Sequence, residues 1–432
     1  MSKIVLKGGV IIDKSGERHA DVAIGQDGLI SEIGEDLSAE NTIDIKGQII
    51  SSGFVDLNSH FGQPGNENAE TIETGTRSAV RGGYTAVIAM PDSKKINDNA
   101  DTTRSIMKLG ETALCHVEIA GAITLGNQGT QIAPLSEMAA LGLRHFADPL
   151  VAERNDLTTR RSMEYSQRFG ATLHYGCSGG KFYSKGQMNE GMISSRLGIA
   201  GIPKEHEEIE VFQLCSIAKM TGARVHLQQV SNPESVKLIA EAQAEGAKVT
   251  CEVAPHHFAL TEALVESFEA RYKVLPPLAT EENVNAMRSL LRAGKVDAIA
   301  TGHRSCENHL KDQPFEEAPF GTIGFETALG AAIAYLDMPL SEILNLLSWR
   351  PAEIAGLSET HGGEIVKGRP GNLTVFDPQK TWVAKGAEMQ SKGSSSVFEG
   401  LQMKGLVSHT LVDGELVVIE GEIQKKMKVK GD

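Results

Sequence analysis

The chain has 432 residues, with 42 Lys and Arg against 56 Asp and Glu, a formal net charge of −14. This acidic balance argues against a nucleic-acid-binding surface, while 41% hydrophobic and 23% charged residues exclude disordered and fibrous classes. No apolar run approaches the roughly 18–20 residues of a membrane span, and the first residues lack the features of an export signal. Five scattered cysteines without a CxxC pair are typical of reduced thiols. We therefore expect a cytoplasmic globular protein that binds neither nucleic acid nor membrane.

Short apolar or alternating segments at both chain ends predict β-strands. They occupy about the first 52 positions and return between Leu373 and Val418. The turns 412–415 and 419–422, each containing an acidic residue followed by Gly, are typical of β-hairpins. These patterns predict one small β domain formed by residues 1–52 plus 346–432. Residues 385–396 are its most loop-like stretch, and we expect them to be exposed.

Between the two ends, strand-like and helical segments alternate. Residues 84–90 form an apolar run typical of a buried strand, and residues 99–112, 205–221 and 233–246 have helical patterns. Alternation of this kind indicates parallel strands joined by crossover helices. Seven or eight such units over residues 53–345 predict a closed (β/α)₈ TIM-like barrel.

The predicted barrel strands end in polar residues, which a barrel places together at its C-terminal mouth. Imidazole and carboxylate groups dominate this set, and both suit Zn²⁺ or similar ions in a hydrolytic site. The residues are His60, Asp92, Asp148, His174, His226, His256, His257 and His303.

From its opening strands to Gly414, the chain resembles dihydroorotases of the cyclic amidohydrolase superfamily. The resemblance implies an amidohydrolase-type barrel. The motifs that carry it are Ser52-Gly53-Phe54-Val55-Asp56-Leu57, Gln63-Pro64-Gly65, Arg81-Gly82-Gly83-Tyr84-Thr85, Met188-Asn189-Glu190-Gly191, Leu197-Gly198-Ile199-Ala200-Gly201-Ile202-Pro203, Cys251-Glu252-Val253-Ala254-Pro255-His256-His257 and Pro276-Pro277-Leu278.

The metal-ligand positions that the resemblance implies are only half retained. Family members have His-x-His after the first strand, but this chain has Asn58-Ser59-His60. Asp148 and His174 match later ligand positions, whereas Gln229 stands where the family has a His. Gly302 replaces the Asp that binds metal and moves the proton, so no catalytic residue is expected there. His60, Asp148 and His174 are thus the remnant ligands.

The substrate-contact positions implied by the resemblance also differ. Gly62 replaces an Arg that grips the substrate carboxylate, and Asp92 and Leu275 each replace an Asn. His303 keeps a position that touches substrate in the family, and we interpret it as a vestigial substrate-binding residue. A metal-bound hydroxide and a general base are both needed for hydrolysis, so the mouth is predicted to be inactive.

Three hypotheses follow from these residues. The first is a noncatalytic, pseudo-dihydroorotase chain of pyrimidine biosynthesis, with no cofactor; the resemblance implies aspartate transcarbamoylase as its assembly partner, and a homo-oligomeric state. The second is a cyclic amide or imide hydrolase with an altered mononuclear site, in which His60, Asp148 and His174 bind one zinc ion and Arg304 holds an anionic substrate. The third is an ordinary dihydroorotase whose lost residues are supplied by neighbouring side chains.

Several other polar residues near the strand ends have structural explanations. His256 and His257 follow a strand in a stretch that is mainly structural in the family. Gln228 and Gln229 could hydrogen-bond into the former site and so satisfy its polar groups. Cys177 and Cys306 lie near strand ends, but free cysteines are usually small buried hydrophobic residues.

Overall fold

The structure is a computed structural model that describes residues 2–149, 154–178 and 186–424. The first described strands are β1 (Ser2–Lys7), β2 (Val10–Asp13), β3 (Gly16–His19), β4 (Asp21–Gly25), β5 (Ile30–Gly34), β6 (Asn41–Asp44) and β7 (Ile49–Ser52). They supply all of a four-stranded sheet, of order β5-β4-β1-β6. They also supply three strands of a seven-stranded sheet, in the order β3-β2-β7 from one edge.

The central part of the chain alternates strands with helices. Its strands are β8 (Phe54–His60), β9 (Tyr84–Ala89), β10 (His116–Ala122), β11 (His145–Asp148), β12 (Thr172–Gly176), β13 (Met188–Asn189), β14 (Gly201–Ile202), β15 (Arg224–Gln228), β16 (Val249–Val253), β17 (Ala298–Ile299) and β18 (His303–Arg304). Its helices are α1 (Ile72–Arg81), α2 (Ala100–Gly110), α3 (Leu135–Ala140), α4 (Asp156–Ser166), α5 (Met192–Leu197), α6 (Glu205–Thr221), α7 (Pro233–Ala244), α8 (Pro255–Ala259), α9 (Glu281–Arg292), α10 (Asn308–Lys311), α11 (Ala328–Tyr335), α12 (Leu340–Leu344) and α13 (Arg350–Ile354).

The parallel sheet closes into the predicted barrel. Its order is β17-β16-β15-β12-β11-β10-β9-β8-β18. β17 pairs with β16, and β18, only a few residues later, pairs with β8. Residues 298–304 therefore act as one final strand that joins both edges of the sheet.

The final strands return to the β domain. They are β19 (Leu373–Val383), β20 (Gln402–Val412), β21 (Glu415–Ile419) and β22 (Glu422–Ile423). β19 pairs antiparallel with β7, so the two chain ends share one sheet. The predicted hairpin turns are also present, since Val412 pairs with Glu415 and Ile419 with Glu422.

Small apolar side chains fill the barrel interior. Val55, Leu57 and Ile88 form one cluster with Ala352 and Ala355, which lie in and just after α13. Although α13 belongs to the predicted 346–432 segment, it packs against the barrel strands. In the described ranges, no helix is long and apolar enough to cross a membrane.

Residues 385–396 form a loop that is exposed only in part, since Gly386, Gly393 and Ser396 are buried. The backbone N–H of Gly393 donates to Ser305 Oγ at 3.0 Å, and that of Ser394 donates to Asn308 Oδ1 at 2.9 Å. Ser391 donates to Glu70, which is fully buried. We call residues 385–396 the strap, because they connect the β domain to the loops at the barrel mouth.

Candidate functional site

Asn58, at a position where the resemblance implies a metal ligand, takes part in a buried hydrogen-bond network. It lies on β8, and its Nδ2 donates to Glu252 Oε1 on β16 at 2.8 Å. The other oxygen of Glu252 lies 3.0 Å from His226 Nε2 on β15. All three side chains are almost completely buried. An amide–carboxylate–imidazole network thus crosses the barrel interior.

His60, the last residue of β8, is paired with Asp92, which follows β9, and with Arg304 of β18. Its Nδ1 lies 2.9 and 3.0 Å from the carboxylate oxygens of Asp92 and 2.8 Å from Arg304 Nη2. Arg304 also donates to Asp92. Burial lowers the pKa of His60, and the Arg304 charge lowers it further. Burial opposes ionisation of Asp92, but Arg304 and His60 outweigh it and hold the pKa of that carboxyl below its usual value.

Asp148, at the end of β11, is held by the chain immediately after β10. Its Oδ1 accepts from the backbone N–H groups of Ile123 and Thr124 at 3.2 and 3.1 Å, and its Oδ2 accepts from Thr124 Oγ1 at 2.8 Å. Burial raises the pKa of Asp148 to about 7 despite these bonds. Asp148 therefore links the C-terminal ends of β10 and β11.

His174, on β12, belongs to a chain of buried imidazoles. Its Nε2 lies 3.0 Å from His145 Nδ1, and His145 Nε2 lies 3.1 Å from the carbonyl oxygen of Ala355. Because a carbonyl only accepts, His145 Nε2 donates and its Nδ1 accepts from His174. Burial lowers the pKa of both rings, that of His145 to about 4. Among the described residues, His174 Nδ1 is left without a hydrogen-bond partner.

Gln229 and Gly302 are complementary replacements. Gly302 has a φ of +59°, and a Cβ added there would lie 1.8 Å from Gln229 Nε2. The Gln229 amide therefore fills the space that a side chain at 302 would enter. Reintroducing an acidic group at 302 requires Gln229 to move.

The substrate-contact positions are also closed by packing. A Cβ at Gly62 would lie 2.2 Å from the carbonyl oxygen of Asn66, whose N–H donates to the Gly62 carbonyl. His303 is fully buried, with Nε2 3.3 Å from Glu70 Oε2 and its ring stacked on Phe325. Leu275 is half-buried. The Gly324 N–H donates to His303 Nδ1 at 3.2 Å, so His303 is part of a packed hydrogen-bond network with Glu70.

The remaining polar residues also have bonds within the chain. His257 Nε2 lies 2.9 Å from the carbonyl oxygen of Pro276, consistent with its structural interpretation. Gln228 Nε2 contacts Met90 Sδ at 3.1 Å. Cys177 and Cys306 are buried, and burial raises the pKa of both thiols.

These residues do not fit a zinc site as they are arranged. Zinc in a catalytic site needs three protein ligands, and His60, Asp148 and His174 each bond to a different partner. Within residues 2–149, 154–178 and 186–424, no group of three or more His, Cys, Asp or Glu side chains could hold a metal ion. Of these three side chains, His174 has a fully buried ring nitrogen, Nδ1, without a hydrogen-bond partner among the described residues.

Two of the residues that organise this site were not singled out from the sequence. His145 connects His174 to the barrel floor, and Glu252 binds both Asn58 and His226. Glu252 lies within the motif 251–257, so its family position was visible, but its partners come from distant strands. His145 is visible only as a polar residue at the start of a buried strand.

Comparisons with known proteins agree with the fold and the sequence motifs. The family model "Dihydro-orotase-like" matches residues 47–235. Proteins named dihydroorotase from Citrifermentans bemidjiense and Streptomyces coelicolor are 36% and 34% identical, over 96% and 98% of this chain and 99% and 100% of theirs. The structure of L-hydantoinase from Arthrobacter aurescens superposes with a TM-score of 0.88 at 22% identity, covering 98% of each chain. A D-hydantoinase structure gives 0.85, also at 22% identity, over 98% of this chain and 96% of its own. The chain therefore belongs to the dihydroorotase family of the cyclic amidohydrolase superfamily.

Proposed function

We propose that this chain is a noncatalytic member of the dihydroorotase family that acts as an assembly subunit in pyrimidine biosynthesis. The observation that carries the proposal is the replacement of the metal site by hydrogen bonds within the chain. Asn58 binds Glu252, His60 pairs with Asp92, and Gln229 fills the space beside Gly302. Buried polar groups are costly without hydrogen bonds, and these contacts supply bonds at several of the implied ligand positions. Asn58 Oδ1 and His174 Nδ1 are left without a partner among the described residues.

Loss of the acid–base group supports the same conclusion. General acid–base catalysis contributes typically about 10²–10⁴-fold to a rate, and glycine at 302 cannot accept or donate a proton through a side chain. The neighbouring cation, Arg304, is paired with Asp92 and lies against His60. An anionic substrate would have to break this half-buried pair before it could bind Arg304.

The proposed partner is aspartate transcarbamoylase, which the family resemblance implies. A chain that keeps the barrel and both sheets but lacks catalytic residues can still act by binding another protein through its surface. We expect the purified chain to form a complex with aspartate transcarbamoylase from its own cell.

The first test measures metal and activity on the native chain. We expect less than about 0.1 zinc per chain, no thermal stabilisation by added zinc, and no hydrolysis of dihydroorotate, because three ligands are not available together. The variant N58H/Q229H/G302D is the matched comparison, since it restores the three family ligand positions. About one tightly held zinc in the native chain would contradict the proposal.

The second test concerns the partner. The chain and aspartate transcarbamoylase are mixed and separated by size, and transcarbamoylase activity is measured across the fractions. We expect that activity to move to a larger species only when this chain is present. Two separate peaks at micromolar concentrations would contradict the assembly role while leaving the absence of catalysis intact.

A second candidate function is an altered cyclic amide hydrolase. It is favoured by the names of the relatives at 34–36% identity and by the unpartnered His174 Nδ1. This alternative predicts about one zinc per chain, lost in H174A but retained in H256A, whose ring is also buried. Hydrolysis of another cyclic amide or imide, abolished by the same H174A change, would support it.

A further inference from the structure

A cavity of about 720 Å³ opens where the β domain meets the barrel. Its walls come from β6, β19, β20 and β21, from α1 and α11, and from the first residues of the strap. None of the described strand-end residues at the barrel mouth lines it. Its size is typical of a site for a small molecule, since such sites measure roughly 300–1,000 Å³. We call this space the β-domain cavity.

Part of the cavity wall is apolar and open to solvent. Val383 and Leu406 line it and are 47% and 37% exposed. Trp382 lines it as well, and its Nε1 donates to the carbonyl oxygen of Gly405 at 2.9 Å. This bond fixes the indole ring in place. A rigid apolar surface is therefore available to the body of a ligand.

His409, on β20, has an unsatisfied ring nitrogen in the cavity. It lines the cavity and is 3% exposed. The Ser408 hydroxyl donates towards Gln48 Oε1 and the Val375 carbonyl oxygen, neither of which can donate. Ser408 Oγ therefore accepts from His409 Nδ1 at 2.9 Å. The neutral ring then carries its lone pair on Nε2, which has no hydrogen-bond partner among the described residues.

The charges around the cavity are predominantly negative. Six carboxylates line it against three cations: Asp44, Glu326, Asp377, Glu388, Glu420 and Glu422 against Arg81, Lys380 and Lys385. Two of the cations already have carboxylate partners, since Arg81 pairs with Glu326 and Lys385 with Glu388. Burial lowers the pKa of His409, and the Glu420 charge opposes this effect, which indicates that the carboxylate lies near the ring. The cavity therefore favours a positively charged ligand.

We propose that the β-domain cavity binds a small organic cation with an apolar body, whose N–H groups donate to His409 Nε2 and Glu420. Both of these groups accept hydrogen bonds, so the ligand must supply the donors. Trp382 covers the apolar body and favours a cation next to its ring. A metal ion does not suit the cavity, because no group of three or more His, Cys, Asp or Glu side chains in the described ranges could hold one. The proposal does not depend on whether the barrel mouth is catalytic.

The first test compares three probes of similar shape and different charge: benzamidine, a cation, benzamide, which is neutral, and benzoate, an anion. The chain has two tryptophans, so W349F leaves Trp382 as the fluorescent reporter. Trp349 Nε1 has no hydrogen-bond partner among the described residues, so this change removes no bond. We expect benzamidine to bind with a Kd of about 1 mM at about pH 8, and the other two probes to bind at least about tenfold more weakly. Ligand-observed NMR repeats the comparison on the native chain.

Substitution of His409 tests the acceptor. H409N keeps a donor towards Ser408 but has no acceptor at the position of Nε2, so it should weaken benzamidine binding by about fivefold or more. H409Q is the matched comparison, because its amide oxygen reaches the position of Nε2. It should bind benzamidine within about twofold of the native chain. Circular dichroism checks that both variants fold.

Substitution of Glu420 tests the charge. E420Q should weaken benzamidine binding by about threefold and leave benzamide binding unchanged, because only the cation interacts with the lost charge. E137Q is the matched control, since Glu137 on α3 is also exposed and lies outside the cavity. It should bind all three probes like the native chain. No binding of benzamidine up to about 20 mM, equal affinities for the three probes, or an unchanged affinity in H409N would each overturn the proposal.

Discussion

At the scale of single residues, the barrel mouth contains replacements that fit one another. The Gly302 backbone lies in the left-handed region, and the Gln229 amide occupies the space beside it. The two departures from the family motif explain each other. Glycine at 302 leaves a space without a side chain, and the glutamine at 229 fills that space. The two residues should therefore be energetically coupled.

We expect G302A to lower the free energy of unfolding by about 2–4 kcal/mol, because it combines left-handed strain with a clash against Gln229. The matched control is G294A. Gly294 has a φ of +65° but no atom within 4 Å of its added Cβ, so this change should cost only about 1 kcal/mol. Urea unfolding of each variant measures the difference.

Removing Gln229 should identify the clash. In a Q229A background, G302A should destabilise the chain by about as much as G294A does, since the obstructing amide is gone. If G302A lowers the free energy of unfolding equally with and without Gln229, the Gln229 side chain moves aside at no cost and the predicted clash is contradicted.

The losses at positions 58, 229 and 302 could be predicted from the sequence, because each departs from a recognisable motif. The hydrogen-bond partners of the residues that stand at these positions could not be predicted. Asn58 and Glu252 lie on strands 194 positions apart, and periodicity carries no information on which buried side chains meet across a barrel. For the same reason, the interpretation of His60, Asp148 and His174 as a set gave no warning that each bonds elsewhere.

At the scale of elements, regular segments were more predictable than the irregular strap. Helix α6 matches the predicted 205–221, and α7 ends two residues before the predicted 246. The polar composition of 385–396 indicates a loop correctly but not its position. Its bonds to Glu70, Ser305 and Asn308 join residues far apart in the chain.

The strap should open when its close backbone approach to Cys306 at the barrel mouth is blocked. A Cβ at Gly393 would lie 2.3 Å from the Cys306 carbonyl oxygen, so G393A should displace the segment. We expect amide hydrogen exchange in residues 386–396 to increase by about tenfold or more. G110A is the control, since its added Cβ has no atom within 4 Å. Unchanged amide hydrogen exchange of residues 386–396 in G393A would contradict the packing of the strap against the barrel mouth.

At the scale of the whole molecule, one buried carboxylate spans the seam where the barrel closes. Asp56, on β8, accepts from Thr301 N at 2.6 Å and from Thr301 Oγ1 at 3.0 Å, between β17 and β18. Burial raises the pKa of Asp56 to about 6 from an ordinary value of 3.8. The folded state therefore binds this proton more tightly than the unfolded state does.

This shift predicts a pH-dependent contribution to stability. The contribution is fully present below pH 3.8 and is lost as the pH rises through about 6. The free energy of unfolding of the native chain minus that of D56N should therefore fall by up to about 3 kcal/mol across this window. Buried histidines titrate in both proteins and cancel in the difference. If the difference in free energy of unfolding between the native chain and D56N is constant or rises with pH, the raised pKa of Asp56 is contradicted.

The fit between Gln229 and the bare backbone at 302 also has an evolutionary consequence. An acidic residue acquired first at 302 would meet an obstructing amide, whereas histidine acquired first at 229 would face a glycine that cannot complete a ligand set. Each single reversal is thus expected to lower stability or confer no benefit. Acquiring the family's residues at both positions would need simultaneous changes, so the present pair should be entrenched by epistasis.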